Sequence, residues 1–195
     1  CDKLAIKYNI KNSFVVGYIG THGMAHGLSN VLKVAKKLKY EKNIIFLFVG
    51  AGADRENLIK LSSDHNLPNT LFLPMQPKEE MRYIWSLCDI ALVHLKNNPT
   101  FSEVIPSKIF EAMSMGVPIL LNMPDGEARN IIEKESAGIW VPPENPEALS
   151  KSIKMLIEDK KIHKKMSQNC LAAAPKYSRS RQAQKMIDVF DKAIL

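Results

Sequence analysis

Short, almost unbroken apolar runs alternate along the chain with stretches in which apolar residues recur every third or fourth position. The runs are "SFVVGYIG", "NIIFLFVG", "NTLFLP", "DIALVHL", "VPILLN" and "AGIWVP", each closed by glycine, proline or a polar turn. Strands buried on both faces of a parallel sheet read this way, and the periodic stretches between them supply the covering helices. Leu28, Leu32, Ala35 and Leu38 mark one helix, Leu58 and Leu61 a second, and "KEEMRYIWSLC" a third. After the fourth run a long connection, Lys96 to Ile105, leads to a helix starting near Pro106. The pattern predicts an α/β, Rossmann-like open parallel sheet of about six strands with helices on both faces.

The end of the chain turns helical. Asn145 before Pro146 has the form of an N-cap followed by a first-turn proline, with Leu149, Ile153, Leu156 and Ile157 as the buried stripe. A last helix, about 178–194, carries Ala183, Met186, Ile187, Phe190 and Ile194 on one face and is expected to pack at the edge of the domain. No linker, repeat or low-complexity segment interrupts residues 1–195, so one domain is expected.

Composition narrows the function less than the pattern narrows the fold. At 195 residues, 46% hydrophobic, the chain can bury a sizeable core. The net charge of +7 suits an anionic partner such as a nucleotide, a phospholipid headgroup or nucleic acid. Much of that excess lies in helical runs such as "KVAKKLKYEK" and "DKKIHKK", which read as solvated faces. Cys1, Cys88 and Cys170 have no paired spacing, so no disulfide framework or zinc knuckle is indicated, and a reducing cytoplasmic setting fits. No run reaches the roughly 18 apolar residues of a membrane span and no secretory leader opens the chain. The expectation is a cytoplasmic protein whose basic surface permits peripheral contact with the inner membrane face.

Ligands of such sheets sit outside the carboxyl ends of the strands. The loops there run from Gly20 to Gly27, Gly50 to Asp54, Pro74 to Pro77 and Lys96 to Pro106. "GTHGMAHG" (with Gly20, Gly23 and Gly27) and "GAG" (Gly50, Gly52) allow close approach of backbone to a ligand, and each precedes a helix whose amides suit phosphate. The first lacks the GK[ST] ending of a P-loop; the second lacks the third glycine of a dinucleotide fingerprint. His22 and His26 have helical metal-ligand spacing, but Gly23 lies between them and no HExxH glutamate accompanies them, so no metal is expected. A histidine at the phosphate end of a nucleotide site is the better functional reading. His65, His94 and His163 offer no partner pattern.

Glu103 and Glu111 stand eight positions apart across the junction of the long loop and the following helix. Spacing alone says little, since Glu127 and Glu135 share it on an ordinary surface helix. Context differs: Ser107, Glu111 and Ser114 fall on one polar face, while Ile109, Ala112 and Met113 point elsewhere. Ser107 and Lys108, with the first-turn amides, form a positive end suited to a diphosphate. A carboxylate one turn on can accept from ribose hydroxyls, and one in the preceding loop from a sugar.

The stretch "EVIPSKIFEAMSMGVPIL" resembles the E-x7-E motif of retaining glycosyltransferases of the GT-B fold, family 4. Nearly the whole chain is similar to that family's donor-binding C-terminal half, through "GYIGTHGMAHGL", "FLFVGAG", "LFLPMQPKEEMRYIWSLCDIALV" and "AGIWVPPENPEAL". The resemblance implies Glu111 on the ribose, Glu103 on the donor sugar, and Met75 and Gln76 against the base. It further implies Gly20, Thr21, His22, Gly23, Gly50, Gly52, Ser107 and Ile109 along the donor, with Lys108 and His26 at the reacting diphosphate. The family commonly has arginine and lysine where this chain has Thr21 and His26; Lys108 and the helix amides then compensate. The loop is similar to that of surface-polysaccharide transferases of the fucosaminyltransferase kind.

These readings imply a nucleotide-sugar donor, UDP-linked by resemblance, with no cofactor or metal. They also imply a lipid-linked or glycan acceptor held by an N-terminal domain that this chain lacks, so that the chain alone does not transfer sugar. A nucleotide-sugar 2-epimerase shares the fold. A basic nucleic-acid module is the other alternative, but it requires aromatics interleaved with Lys and Arg on an exposed surface, whereas those here sit mostly in apolar runs.

Overall fold

The structure, a computed structural model, describes residues 2–41 and 43–194. After α1 (Asp2–Lys7) the chain alternates strand and helix: β1 (Phe14–Ile19), α2 (Ser29–Lys37), β2 (Ile44–Val49), α3 (Arg55–Asp64), β3 (Thr70–Leu73), α4 (Met81–Trp85), β4 (Ile90–His94), α5 (Lys108–Ser114), β5 (Ile119–Asn122), α6 (Glu127–Glu135) and β6 (Gly138–Val141). Three helices follow, α7 (Pro146–Glu158), α8 (Lys160–Ala173) and α9 (Arg179–Ile194). The six strands are all parallel, in the order β3-β2-β1-β4-β5-β6. The order reverses between β1 and β4, and this is where doubly wound sheets open a crevice at their carboxyl edge.

Alternation along each strand feeds two cores. Val15, Leu47, Val49, Ala91, Val93, Ile119 and Leu121 face a layer made by Trp85 of α4, Ile109 and Met113 of α5, Ile132 of α6 and Cys170 of α8. Their neighbours Val16, Tyr18, Phe46, Phe48, Ile90, Leu92 and Leu120 face Leu32 of α2, Leu58 of α3 and Ile153 of α7. Apolar residues on successive positions are thus used by opposite faces, which is why the strands read as continuous runs.

The cap at α7 forms as expected, Asn145 accepting from the Ala148 amide at 3.0 Å with Pro146 in the first turn. The basic run at Asp159–Lys165 opens α8: Asp159 accepts from the amides of Lys161 and Ile162 at 3.0 and 2.9 Å, and the far end of the helix buries Cys170 and Ala173. The last helix departs from its expected packing. Residues 179–193 of α9 are exposed, including Met186, Ile187, Val189 and Phe190, and α9 meets the body of the domain chiefly at the turn Ala174–Tyr177. The apolar stripe is present, but nothing within the described chain covers it. Among the described residues no helix is long and apolar enough to cross a membrane.

Candidate functional site

The loops after β1 and β2 interlock backbone to backbone at the crevice. Gly20 and Gly50 hold φ of +138° and +146°, conformations that L side chains rarely adopt, and a Cβ on Gly50 would stand 2.0 Å from the Gly20 carbonyl oxygen. One residue on, the His22 amide donates to the Ala51 carbonyl at 2.8 Å and the His22 carbonyl accepts from Asp54 at 2.9 Å. A Cβ on Gly52 would meet that same His22 carbonyl oxygen at 2.5 Å. These contacts leave a cavity of about 170 Å³ lined by Gly20, Thr21, Gly50, Ala51, Met75 and Gln76, with Met81 at its edge. Five of the expected donor residues therefore share one wall, and the Ala51 and Met81 contributions come from the fold.

Lys108 enters from the other side. It begins α5, and its ammonium lies 3.9 Å from the centre of the Tyr18 ring and 2.9 Å from where a Cβ on Gly20 would be. The nitrogen is buried and has no hydrogen-bond partner among the described residues. Burial lowers its pKa to about 8, against the pull of Glu111 in the other direction. Tyr18 is fixed in turn, its hydroxyl donating to the Thr21 carbonyl at 2.8 Å. This cation–π platform places a charge beside the glycine loop, where an approaching anion would find it. Tyr18 escaped the sequence reading because an aromatic inside an apolar strand carries no sign of a polar task.

Several expected residues sit otherwise than predicted. Ile109 is fully buried in the core, and its amide donates to the Pro106 carbonyl at 3.1 Å, so its side chain cannot touch a donor. The Phe110 amide likewise donates to the Ser107 carbonyl at 3.0 Å. The positive end of α5 therefore rests on Lys108 rather than on a full set of free amides. Ser107 is exposed and makes no capping bond. Gly23 has φ −98° and a Cβ there would make only ordinary contacts, so the loop does not require glycine at that position.

The His22 ring is fully buried against Tyr18 and Phe48, with centroids 5.8 and 6.3 Å away, and neither ring nitrogen has a hydrogen-bond partner among the described residues. Burial first, then the charges of Arg55 and Lys108, lower its pKa to about 4. His26 is joined to His94, for which no partner was expected. The His94 Nδ1 donates to the His26 carbonyl at 2.6 Å, and the His26 Nδ1 faces the His94 carbonyl at 3.4 Å. Burial lowers His94 to about 4 and shifts His26 in the same direction. His163 also has a partner, its Nε2 lying 2.8 Å from the Asp89 carbonyl.

The two glutamates are both exposed. Glu111 is in the first turn of α5 with Lys108, on the face shared with Ser107 and Ser114, while Ala112 and Met113 are buried. Glu103 ends a 3-10 turn, Pro99–Glu103, capped by Asn98, which accepts from the Thr100 amide at 3.0 Å. That turn presses on the start of α6, for a Cβ on Gly126 would lie 2.0 Å from the Ser102 carbonyl oxygen. Neither glutamate lines the small cavity. A larger concavity of about 610 Å³ lies away from the glycine loops, between α6 and α9, with Phe110, Lys134, Tyr177 and Lys185 in its wall.

Comparison with known proteins gives the family and the fold. The chain is 30% identical over 149 residues to the probable glycosyltransferase WbjE of Pseudomonas aeruginosa, covering 76% of this chain and 37% of that protein. It is 24% identical over 147 residues to the N,N'-diacetylbacillosaminyl-diphospho-undecaprenol alpha-1,3-N-acetylgalactosaminyltransferase of Campylobacter jejuni, covering 72% and 38%. The fold superposes on Anabaena Alr3699/HepE, solved in complex with UDP, with a TM-score of 0.84 at 20% identity, over 98% of this chain and 52% of that one. The chain thus spans less than half the length of these two curated relatives, and its architecture is that of the GT-B glycosyltransferases. Residues 2–171 match the family described as glycosyl transferases group 1, and the chain belongs to that family.

Proposed function

We propose that the chain is the donor-binding half of a retaining glycosyltransferase of the family 4 kind, close to the fucosaminyl-type surface-polysaccharide enzymes. In this reading it holds a UDP-sugar whose sugar passes to a glycan or lipid-linked acceptor bound by an N-terminal domain. The observation that carries the reading is the juxtaposition at Gly20: a small cavity suited to a base on one side and a buried, unpartnered ammonium on the other. A base against Met75, Gln76 and Ala51 sets its diphosphate at Gly20 and Thr21. Lys108 then meets the oxygens on which negative charge develops as the nucleoside diphosphate departs, and a pre-placed cation lowers that barrier.

Glu111 accepts from the ribose hydroxyls and Glu103 from the sugar, so the two orient the donor rather than exchange protons with it. UDP is favoured as the nucleotide because the structural neighbour HepE binds it. The acceptor-activating base lies outside this chain, which alone does not turn over; its working place is the cytoplasmic membrane face, where lipid-linked acceptors are met.

A thermal-shift panel of UDP, GDP, ADP and their sugars tests the reading. A ligand at about 100 times its Kd stabilises by about 2.7 kcal/mol, a rise of several degrees for a chain of this size. UDP and UDP-sugars are expected to produce it. An equal response to all three nucleotides, or to none, contradicts the proposal.

A further inference from the structure

Lys108, His22 and His26 crowd the Tyr18 ring beneath the glycine loop. The Lys108 ammonium is 3.9 Å from its centre, and the His22 and His26 rings are 5.8 and 5.9 Å away. His94 joins them from the end of β4 through the bond to the His26 carbonyl. A carbonyl only accepts, so His94 carries its proton on Nδ1 and its Nε2 is a bare acceptor, buried and unpartnered. Both His22 ring nitrogens and the Lys108 nitrogen are likewise buried without a hydrogen-bond partner among the described residues. A buried ammonium that rests on an aromatic face with no hydrogen-bond acceptor is held at a cost that an anion beside Gly20 would reduce.

Charge at this spot is conditional on protons. Thr21 is neutral, burial keeps His22 and His94 uncharged at neutral pH, and it shifts His26 in the same direction. The other charged groups facing the cluster come from several elements. Asp54 and Arg55 flank His22 from the start of α3, Arg55 being paired with Glu56 at 3.0 Å. Glu111 faces Lys108 from α5, and Glu144 faces His94 from the turn before α7. The Lys96 stem lies 2.9 Å from where a Cβ on Gly27 would be. Of all these, Lys108 is the cation aimed at Gly20, and burial brings its loss of charge down to about pH 8.

We propose that Lys108 is a proton-gated clamp for the donor's diphosphate, so that binding the anion draws a proton from solvent onto the Lys108 amine and the donor is released as the solution becomes alkaline. This inference rests on the donor-site reading above and adds its regulation by pH. Calorimetric titration with UDP-glucose tests it: its diphosphate, esterified at both ends, has no proton to lose between pH 6 and 9, and the Lys108→Arg variant controls for the uracil N3–H, which begins to ionise at the alkaline end of that range. Affinity is expected to be flat from pH 6 to 7 and to fall about tenfold between pH 7 and 9, following the charged fraction of an amine with a pKa near 8. At pH 8.5 the binding enthalpy should differ between Tris and phosphate buffers by the heat of the proton taken up.

The Lys108→Arg variant keeps its charge throughout. It should bind at pH 9 as tightly as at pH 7 and show no buffer dependence. Binding by the unaltered chain that is equally tight at pH 7 and 9, with the same enthalpy in both buffers, overturns the clamp and leaves the donor reading standing. Absence of UDP-glucose binding at every pH overturns both.

Discussion

A Cβ on Gly50 would stand 2.0 Å from the carbonyl oxygen of Gly20, so the loops that close β1 and β2 are packed main chain against main chain. Gly50 also holds φ at +146°. Gly50→Ala therefore adds both a clash with backbone and a strained conformation, at about 2–4 kcal/mol. Urea denaturation should show that loss, and the UDP thermal shift should vanish because the same contact shapes the cavity wall. A loss below about 0.5 kcal/mol would mean that the loops separate freely.

Glu111 and Glu103 are exposed, so neutralising either leaves the fold within about 0.5 kcal/mol of its original stability. Their ligand effects should differ. Hydrogen bonds to a charged group are worth about 1.5–3 kcal/mol, so Glu111→Gln should weaken UDP and UDP-sugar alike by roughly tenfold or more. Glu103→Gln should weaken the UDP-sugar and spare UDP. Calorimetry with both ligands reads the split, and equal losses for Glu103→Gln would remove its assignment to the sugar.

Acid should destabilise the domain through its buried histidines. The folded-state pKa values of His22 and His94 are lowered from 6.5 to about 4. For groups shifted down on folding, stability is complete above pH 6.5 and is lost as pH falls towards 4. Two such rings cost on the order of 3 kcal/mol between pH 7 and 5, a fall of roughly 10 °C in melting temperature. His22→Gln and His94→Gln should each remove about half of that fall. A melting temperature that is flat over this range, or variants that fall as steeply, would show that the rings are hydrated.

Truncation after Ser178 should leave the domain folded. Residues 179–193 are exposed, while the anchor of this region lies before them: Tyr177 stacks on Phe110 at 5.1 Å and hydrogen-bonds Glu135 at 3.1 Å, and Lys176 pairs with the same carboxylate. The melting temperature is expected to change by less than about 3 °C, and self-association in sedimentation experiments should fall as Met186, Ile187 and Phe190 are removed. Loss of cooperative unfolding would show that α9 packs more deeply than its exposure indicates.

The sheet was legible because its strands are buried on both faces, so each announces itself as an apolar run bounded by turns. All six runs are strands, and Asn145–Pro146 caps a helix as its chemistry required. Helix α8 was harder to read, since its basic N-terminal half is a solvated face and only Cys170 and Ala173 near its end are fully buried. The glycine loops and the loop Pro74 to Pro77 could be placed at one edge of the sheet because fold topology leaves marks in local sequence, whereas Met75 and Gln76 entered through the family resemblance alone. The Lys108–Tyr18 platform and the His26–His94 pair could not be read, since each joins residues 68 or more positions apart in ways that no spacing encodes. Burial of the His22 ring was hidden for the same reason: its neighbours Tyr18 and Phe48 belong to different strands.

A crystal structure of the chain with UDP shows whether the donor sits at the glycine loops. The uracil is expected against Met75, Gln76 and Ala51, the ribose within hydrogen-bonding distance of Glu111, and the diphosphate at Gly20 and Thr21 with the Lys108 ammonium upon it. UDP found in the groove between α6 and α9, or seated at the glycine loops with no contact to the Lys108 ammonium, would contradict this placement.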